Sequence, residues 1–364
     1  MKQVLRLKIL FCMAFMLFSF PAMTGAGVTW LEDTHDFGIF NEEDGNQTCT
    51  MRFVNTSDQP VAIISARASC GCTQPEYSKE AFAPGDTAEV KITYIPAGRP
   101  GRFEKIITVV TTDAKFEKHR LTIKGLVIGS EKTVSAHYPY DAGQLRMKRS
   151  MVIFDFVTKG KSKSEFLDVY NVSKDTIYPT WENVPDYVTV SAASKAVPPG
   201  DYSSFVLNFN TMRCDEYGLV KDVVTLYPNG KNGSDPVKIE LFATVVEDFS
   251  NMTETQRMKA PVISVSPERL NLSASAGMMG YSGKVTVTNT GQNELIIRRV
   301  YAQDPAISVK CDKKKVKSGK SVDIEVSLNT FGLQGNVLNT LIYIVTNYPE
   351  NPIMEYRVVG EFPQ

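Results

Sequence analysis

The sequence predicts an all-β chain of three tandem β-sandwich domains behind an export signal. Short β-branched and aromatic runs alternate with clusters of turn residues. After the first 26 residues, no window of twelve or more residues sustains a period near 3.6. A set of Asn and Gly landmarks recurs three times at matched spacing. At 364 residues the chain is long enough for two to four domains of roughly 100–150 residues each.

The first element is the export signal. Lys2, Arg6 and Lys8 precede the apolar run from Ile9 to Phe20, Pro21 ends it, and Ala22-Met23-Thr24-Gly25-Ala26 offers small residues for cleavage. The run is about twelve residues long, too short to cross a hydrocarbon layer of roughly 30 Å as a helix. Cleavage is expected near Ala26, with no lipid on Cys12 and no later membrane span. Removing the three basic residues leaves 37 positive against 40 negative charges. That balance gives nucleic acid no bulk attraction. Three histidines in the whole chain are a thin supply for acid–base or metal chemistry.

The strands then arrive in three rounds. Met51 to Val54, Phe166 to Tyr170 and Val285 to Thr288 are apolar strands, each ending at an Asn turn: Asn55-Thr56-Ser57, Asn171-Val172-Ser173 and Asn289-Thr290-Gly291. About thirty residues on, a Gly turn (Pro84-Gly85-Asp86, Pro199-Gly200-Asp201, Ser318-Gly319-Lys320) opens an alternating strand: Val90 to Tyr94, Phe205 to Phe209 and Ile324 to Leu328. A further Gly follows in Gly101-Arg102-Phe103, Gly218-Leu219-Val220 and Gly335-Asn336-Val337, with another strand behind it. Alternation gives each strand one apolar face, and two sheets must cover one another to bury such faces. About 100 residues and seven or so strands is the size of an immunoglobulin-like unit. The expected division is 1–26 signal peptide, 27–130, 131–249 and 262–364 as immunoglobulin-like domains, and 250–261 as a linker.

The first copy carries the one sharp motif, Ser69-Cys70-Gly71-Cys72-Thr73. Together with Asp36-Phe37-Gly38, Phe53-Val54-Asn55-Thr56, Pro84-Gly85 and Gly101-Arg102-Phe103, it resembles the exported bacterial family called domain of unknown function 1573. That family is similar in fold to the Hydin, major-sperm-protein and PapD types of immunoglobulin-like module. The resemblance covers roughly residues 30–128 and implies export to the periplasm or surface of a Gram-negative bacterium and a β-sandwich. It implies no activity. The second and third copies keep the Asn and Gly landmarks without the Cys-Gly-Cys and look like diverged relatives.

The candidate thiol or disulfide residues are Cys70, Cys72 and Cys49. On an extended strand residues two apart share a face, with Cα atoms roughly 6–7 Å apart, near the upper limit for a disulfide. Gly71 could bend the chain to close that gap. Alternatively, either cysteine could pair with Cys49 on a neighbouring strand. Cys214 and Cys311, in separate copies, are expected as small apolar residues. A structural role for the pair, thiol exchange, and binding of Cu(I) or Zn by two thiolates all remain open. A closed structural zinc site, however, needs four ligands, and His35 and His119 show no spacing that would join them to the motif.

Other signals are bland. Asp36-Phe37-Gly38 spells a kinase triplet with none of its companion motifs, and no nucleophile elbow, phosphate loop or paired-histidine motif is present. The basic cluster Lys310 to Lys315 fits a solvated loop before a strand. Asp86-Thr87-Ala88 and Asp175-Thr176-Ile177 are similar to a bacterial O-glycosylation sequon and fall at expected turns. No catalytic residue, cofactor or metal is expected. The function that follows is a non-enzymatic envelope protein binding another protein or a glycan. The alternatives are thiol-redox or soft-metal chemistry at Cys70 and Cys72, and a periplasmic assembly chaperone of PapD type.

Overall fold

The computed structural model describes residues 27–113, 117–274, 280–329 and 337–361. The expected signal peptide and the landmark Gly335 lie outside the described residues. Among the described residues, apart from two short α-helices and a 3-10 turn at Glu42–Asp44, the regular structure is strand. The first stretch holds β1 (Val28–Trp30), β2 (Thr34–Asn41), β3 (Gln47–Asn55), β4 (Val61–Ala68), β5 (Thr73–Tyr77), β6 (Ala81–Phe82), β7 (Thr87–Tyr94), β8 (Gly101–Thr111) and β9 (Lys118–Ile128). Helix α1 (Glu131–His137) follows, and then β10 (Tyr140–Ala142), β11 (Leu145–Met147), β12 (Met151–Thr158), β13 (Ser162–Asn171), β14 (Thr180–Glu182), β15 (Val188–Ala192), β16 (Tyr202–Asn210), β17 (Gly218–Tyr227) and β18 (Val237–Val246). Helix α2 (Glu254–Met258) leads into β19 (Ile263–Ser266), β20 (Leu270–Ala274), β21 (Tyr281–Asn289), β22 (Leu295–Ala302), β23 (Ile307–Lys310), β24 (Lys315–Val316), β25 (Ser321–Leu328), β26 (Val337–Thr346) and β27 (Ile353–Glu361).

The chain divides into two compact units. One takes the described residues up to Ala97 together with Phe103–Leu126; the other takes Gly98–Arg102 and what is described from Val127 onward. The first unit is built on two sheets, ordered β1-β3-β7-β5 and β2-β9-β8-β4-β6. Strand β7 shows why they face one another: Ala88, Val90, Ile92 and Tyr94 are buried while Thr87, Glu89 and Lys91 are exposed, the two-residue period of a half-buried strand. From the other sheet Ile107, Val109, Leu121 and Ile123 are equally buried. Phe103 stacks on Tyr94 with ring centroids 3.8 Å apart.

The second unit contains two separate apolar cores. One gathers residues from Ala142 to Val245, between the sheets β10-β11-β13-β16-β15 and β12-β18-β17-β14. The other gathers residues from Ile263 to Val358. Around this last core hydrogen bonding is continuous, because β20 pairs antiparallel with β21 through Ser273 and Ala274 and parallel with β27 through Leu270 to Leu272. One strand thus passes from layer to layer and joins them along one side. Strand β12 likewise runs parallel to the last strand of its own group, β18. The chain is an all-β, multidomain, immunoglobulin-like protein.

The three-fold landmarks occupy equivalent places. Asn55, Asn171 and Asn289 each end a strand and are fully buried. Each side-chain NH2 donates to two main-chain carbonyls: Asn55 to Gln59 and Phe82, Asn171 to Asp175 and Val197, Asn289 to Asn293 and Val316, all at 2.8–2.9 Å. Each Oδ1 accepts the amide two residues on, from Ser57, Ser173 or Gly291. Each main-chain carbonyl accepts the N–H of the turn glycine, Gly85, Gly200 or Gly319, at 2.8–3.0 Å. Those glycines have φ of +89°, +69° and +69°, a left-handed conformation that a β-carbon penalises. The asparagine therefore clamps two loops to one strand end, which explains why the Asn and Gly recur as a pair.

The segment 250–261, expected to lack strand, carries α2 with a capping box between Thr253 and Gln256. Around it the two cores of the second unit are tied together. Arg298 makes a two-pronged ion pair with Glu247 at 3.0 and 2.8 Å and lies 5.2 Å over the Tyr217 ring. Arg299 binds the Glu216 carboxylate and donates to the Leu219 carbonyl at 2.9 Å. The Leu219 N–H donates to the Tyr301 hydroxyl at 3.1 Å. Gly218, with φ of +76°, lies so close that a β-carbon there would meet Tyr301 Cε1 at 2.6 Å and Val345 Cγ2 at 2.8 Å.

Candidate functional site

The two cysteines of the motif are not on a strand. Strand β4 ends at Ala68 and β5 begins at Thr73, so Ser69 to Cys72 form the connection. Four hydrogen bonds hold it, three of them from main chain to main chain. The Ser69 N–H donates to the Ile106 carbonyl at 2.9 Å, and the Ile106 N–H returns to Ser69 Oγ at 3.3 Å. The Thr73 N–H donates to the Cys70 carbonyl at 3.3 Å and closes the turn, while the Ile95 N–H donates to the Cys72 carbonyl at 2.9 Å. Turning shortens the Cys70–Cys72 Cα separation to 5.4 Å, below the strand-based expectation, and brings the two sulfurs into direct contact.

The two cysteines differ in access. Cys72 is 5% exposed, whereas Cys70 is only half-buried and Gly71 between them is exposed. The Thr73 hydroxyl lies 3.8 Å from both sulfurs. Gly71 faces open space, with nothing within 4 Å of where a β-carbon would stand.

Cys49 is held apart. It lies on β3, paired through Ile92 of β7, and β7 in turn pairs with β5. One whole strand thus intervenes, a lateral distance of roughly 10 Å at about 4.8 Å per strand. A disulfide needs Cα atoms within roughly 7 Å. Cys49 is a free, buried thiol, and its burial, with a smaller contribution from Glu32, pushes its pKa up to about 11. Cys214 is free and buried, and Cys311 is free and half-buried. Burial raises the pKa of both.

The remaining sequence candidates are separate features. His35 contacts Glu32 at 3.3 Å and packs edge-on to Phe37, and the His119 ring lies beside Trp30. Asp36-Phe37-Gly38 lies within β2, where Asp36 Oδ1 accepts the Gly38 N–H at 2.8 Å. Thr176 is exposed in a loop, whereas Thr87, expected in a turn, opens β7 with its side chain exposed. Among the described residues no group of three or more His, Cys, Asp and Glu side chains is placed to hold a metal ion, and no helix is long and apolar enough to cross a membrane.

One concavity was not anticipated from the sequence. A cavity of about 530 Å³ in the second unit has Ile128, Val134, Tyr170 and Pro199 in its wall and Glu131, Asp141, Arg146 and Lys174 around it. Helix α1 forms one side, started by Ser130, whose side chain accepts the Thr133 N–H. Arg146 donates to the carbonyls of Tyr138 at 2.8 Å and Pro139 at 3.0 Å and so fixes the chain leaving the helix. The sequence signal was the capping pattern Ser130-Glu131, in a stretch too short to show a helical period.

Three solved structures show the kind of remote similarity the chain has. A protein of unknown function from Porphyromonas gingivalis W83 is 19% identical with a TM-score of 0.45, over 60% of this chain and 100% of that one. The ASH/PapD-like domain 7 of human CEP192 is 15% identical with a TM-score of 0.24, over 36% and 100%. The VesB protease of Vibrio cholerae is 11% identical with a TM-score of 0.21, over 28% and 31%. No curated protein matches the chain. Residues 261–357 match the HYDIN/CFA65/VesB-like Ig-like domain, and the cysteine-bearing residues 28–127 match the family described as Protein of unknown function (DUF1573).

Proposed function

We propose that this chain is an exported binding or scaffold protein of the bacterial cell envelope that acts by contact rather than by catalysis. In this reading the modules are 27–130, 131–249 and 262–364, with 250–261 between the last two, and the partner is an envelope protein or glycan. The observation that carries it is the cavity walled by α1, Tyr170 and Pro199. At about 530 Å³ it falls within the range of pockets that enclose a small molecule or a side chain of a partner. Apolar walls with charges of both signs around them suit a ligand that is part apolar and part polar. The thiols and tyrosines whose ionisation is displaced are moved toward their neutral forms, Cys49 to about 11 and Tyr138 to about 12, which disarms them as nucleophiles at neutral pH. Export is supported by the basic start, apolar run and small-residue end of residues 1–26.

The test places a photo-crosslinking amino acid at Val172, which lines the cavity and is exposed, in the full chain in intact cells. Capture of one discrete envelope component from Val172, and not from exposed Lys195 outside the cavity, supports the reading. Equal labelling at both positions, or cell fractionation that leaves the chain in the cytoplasm, would contradict it.

A further inference from the structure

We infer that Cys70 and Cys72 form a reversible two-electron thiol–disulfide couple in which Cys70 is the sulfur that exchanges with a partner thiol and Cys72 is the sulfur that resolves. This goes beyond the binding role and does not depend on it. The argument rests on three features of the connection between β4 and β5. The sulfurs touch, so a bond between them needs no rearrangement. Their access is unequal, Cys70 half-buried and Cys72 5% exposed, so a reagent from solvent meets Cys70 first. The loop is anchored by its main chain, through the Ser69–Ile106, Thr73–Cys70 and Ile95–Cys72 hydrogen bonds. Those bonds are independent of the sulfurs, so opening the S–S bond leaves the turn in place.

The chemistry balances with a thiol as the co-reactant. Its thiolate attacks Cys70 Sγ, the bond from Cys70 to Cys72 breaks, and the electron pair leaves on Cys72 Sγ. The products are a mixed disulfide at Cys70 and a Cys72 thiolate, which takes a proton from water. The Thr73 hydroxyl, 3.8 Å from that sulfur, is placed to donate to the thiolate as it forms. A second co-reactant thiolate then attacks the co-reactant sulfur of the mixed disulfide, and Cys70 departs as a thiolate. Two electrons have passed to the pair, and the co-reactant leaves as its own disulfide. In reverse, the reduced pair reduces a partner disulfide, with Cys70 attacking and Cys72 resolving. Cys49 takes no part, since a strand separates it from the pair and its thiol is protonated up to about pH 11.

The test uses the full folded chain with glutathione as the probe and mass spectrometry to locate the adduct. Reduced Cys72→Ser is expected to take up oxidised glutathione at residue 70 at least tenfold faster than reduced Cys70→Ser takes it up at residue 72. In the unmodified protein, graded dithiothreitol should open the pair reversibly while tryptophan fluorescence stays native, and brief alkylation should then mark Cys70 before Cys72. This second readout needs no variant and decides the matter if a variant fails to fold. Equal uptake at the two positions, or a pair that opens only where denaturant has unfolded the first unit, would overturn the proposal and leave a structural crosslink.

Discussion

The side-chain NH2 of Asn171 donates to the main-chain carbonyl of Val197, 26 residues away, at 2.8 Å, with both groups buried. The same NH2 reaches the Asp175 carbonyl at 2.8 Å, and Oδ1 accepts from the Ser173 amide and hydroxyl at 2.8 and 2.7 Å. One side chain thus ties two loops to one strand end, adding to the bonds that the Val197 carbonyl accepts from the Ile177 N–H at 3.1 Å and the Asp175 carbonyl from the Ser173 hydroxyl at 3.0 Å. Each such hydrogen bond contributes about 0.5–1.5 kcal/mol net.

Asn171→Ala is therefore expected to destabilise its core by about 3 kcal/mol, from the loss of the four side-chain hydrogen bonds at roughly 0.5–1.5 kcal/mol each. The chain has two tryptophans, and Trp181 packs edge-on against Phe205 in that core. Urea unfolding followed through Trp181, in a Trp30→Phe background, reads the loss as a lowered midpoint. A midpoint unchanged within error would mean that water replaces the clamp without cost.

Gly218 and Tyr301 join the two cores of the second unit. Gly218→Ala places a methyl at a φ of +76° and 2.6 Å from Tyr301 Cε1, a combination expected to cost roughly 2–3 kcal/mol. Gly230→Ala is the control, since its φ of +69° is similar but nothing lies within 4 Å; it should cost only about 1 kcal/mol. In calorimetry the Gly218 variant should separate the unfolding of the two cores, while the Gly230 variant keeps the wild-type profile. Identical profiles for the two variants would show that the contact does not couple them.

The sheet architecture was legible because its signals are periodic and local. Alternation in Thr87–Tyr94 and Ser321–Leu328 reports burial directly, and the Asn and Gly of each turn stand where their backbone chemistry requires them. Less legible was what depends on lateral order. Cys49 lies on β3 and Cys72 immediately precedes β5, yet the intervening β7 is visible only once the sheet order β1-β3-β7-β5 is known. The bend at Gly71 was legible as a possibility but not as a fact, since glycine permits a strand or a turn. The cavity beside α1 was missed for a related reason. Its wall combines Val134, Tyr170 and Pro199, residues that no sequence pattern brings together.

Cys49 makes stability pH-dependent in a known direction. Its thiol is raised from an ordinary value near 9 to about 11 in the folded chain by burial, and secondarily by Glu32. Below pH 9 both folded and unfolded states hold the proton and the contribution is intact. Between pH 9 and 11 the unfolded state loses its proton first, so stability falls as pH rises. By about pH 10.5 the loss should reach about 2 kcal/mol. Cys49→Ala should be less stable at pH 8 yet lose less between pH 8 and 10.5, measured by urea titration through Trp30 in a Trp181→Phe background. Parallel pH curves for wild type and variant would contradict the assignment.

The central claim, that one sandwich framework is built three times around the same buried asparagine, is tested most directly by hydrogen exchange of asparagine side-chain amides in 15N-Asn-labelled protein. The side-chain NH2 groups of Asn55, Asn171 and Asn289, identified by single substitutions, should all exchange at least a hundredfold more slowly than that of exposed Asn46. Exchange at the solvent rate at any one of the three would contradict it.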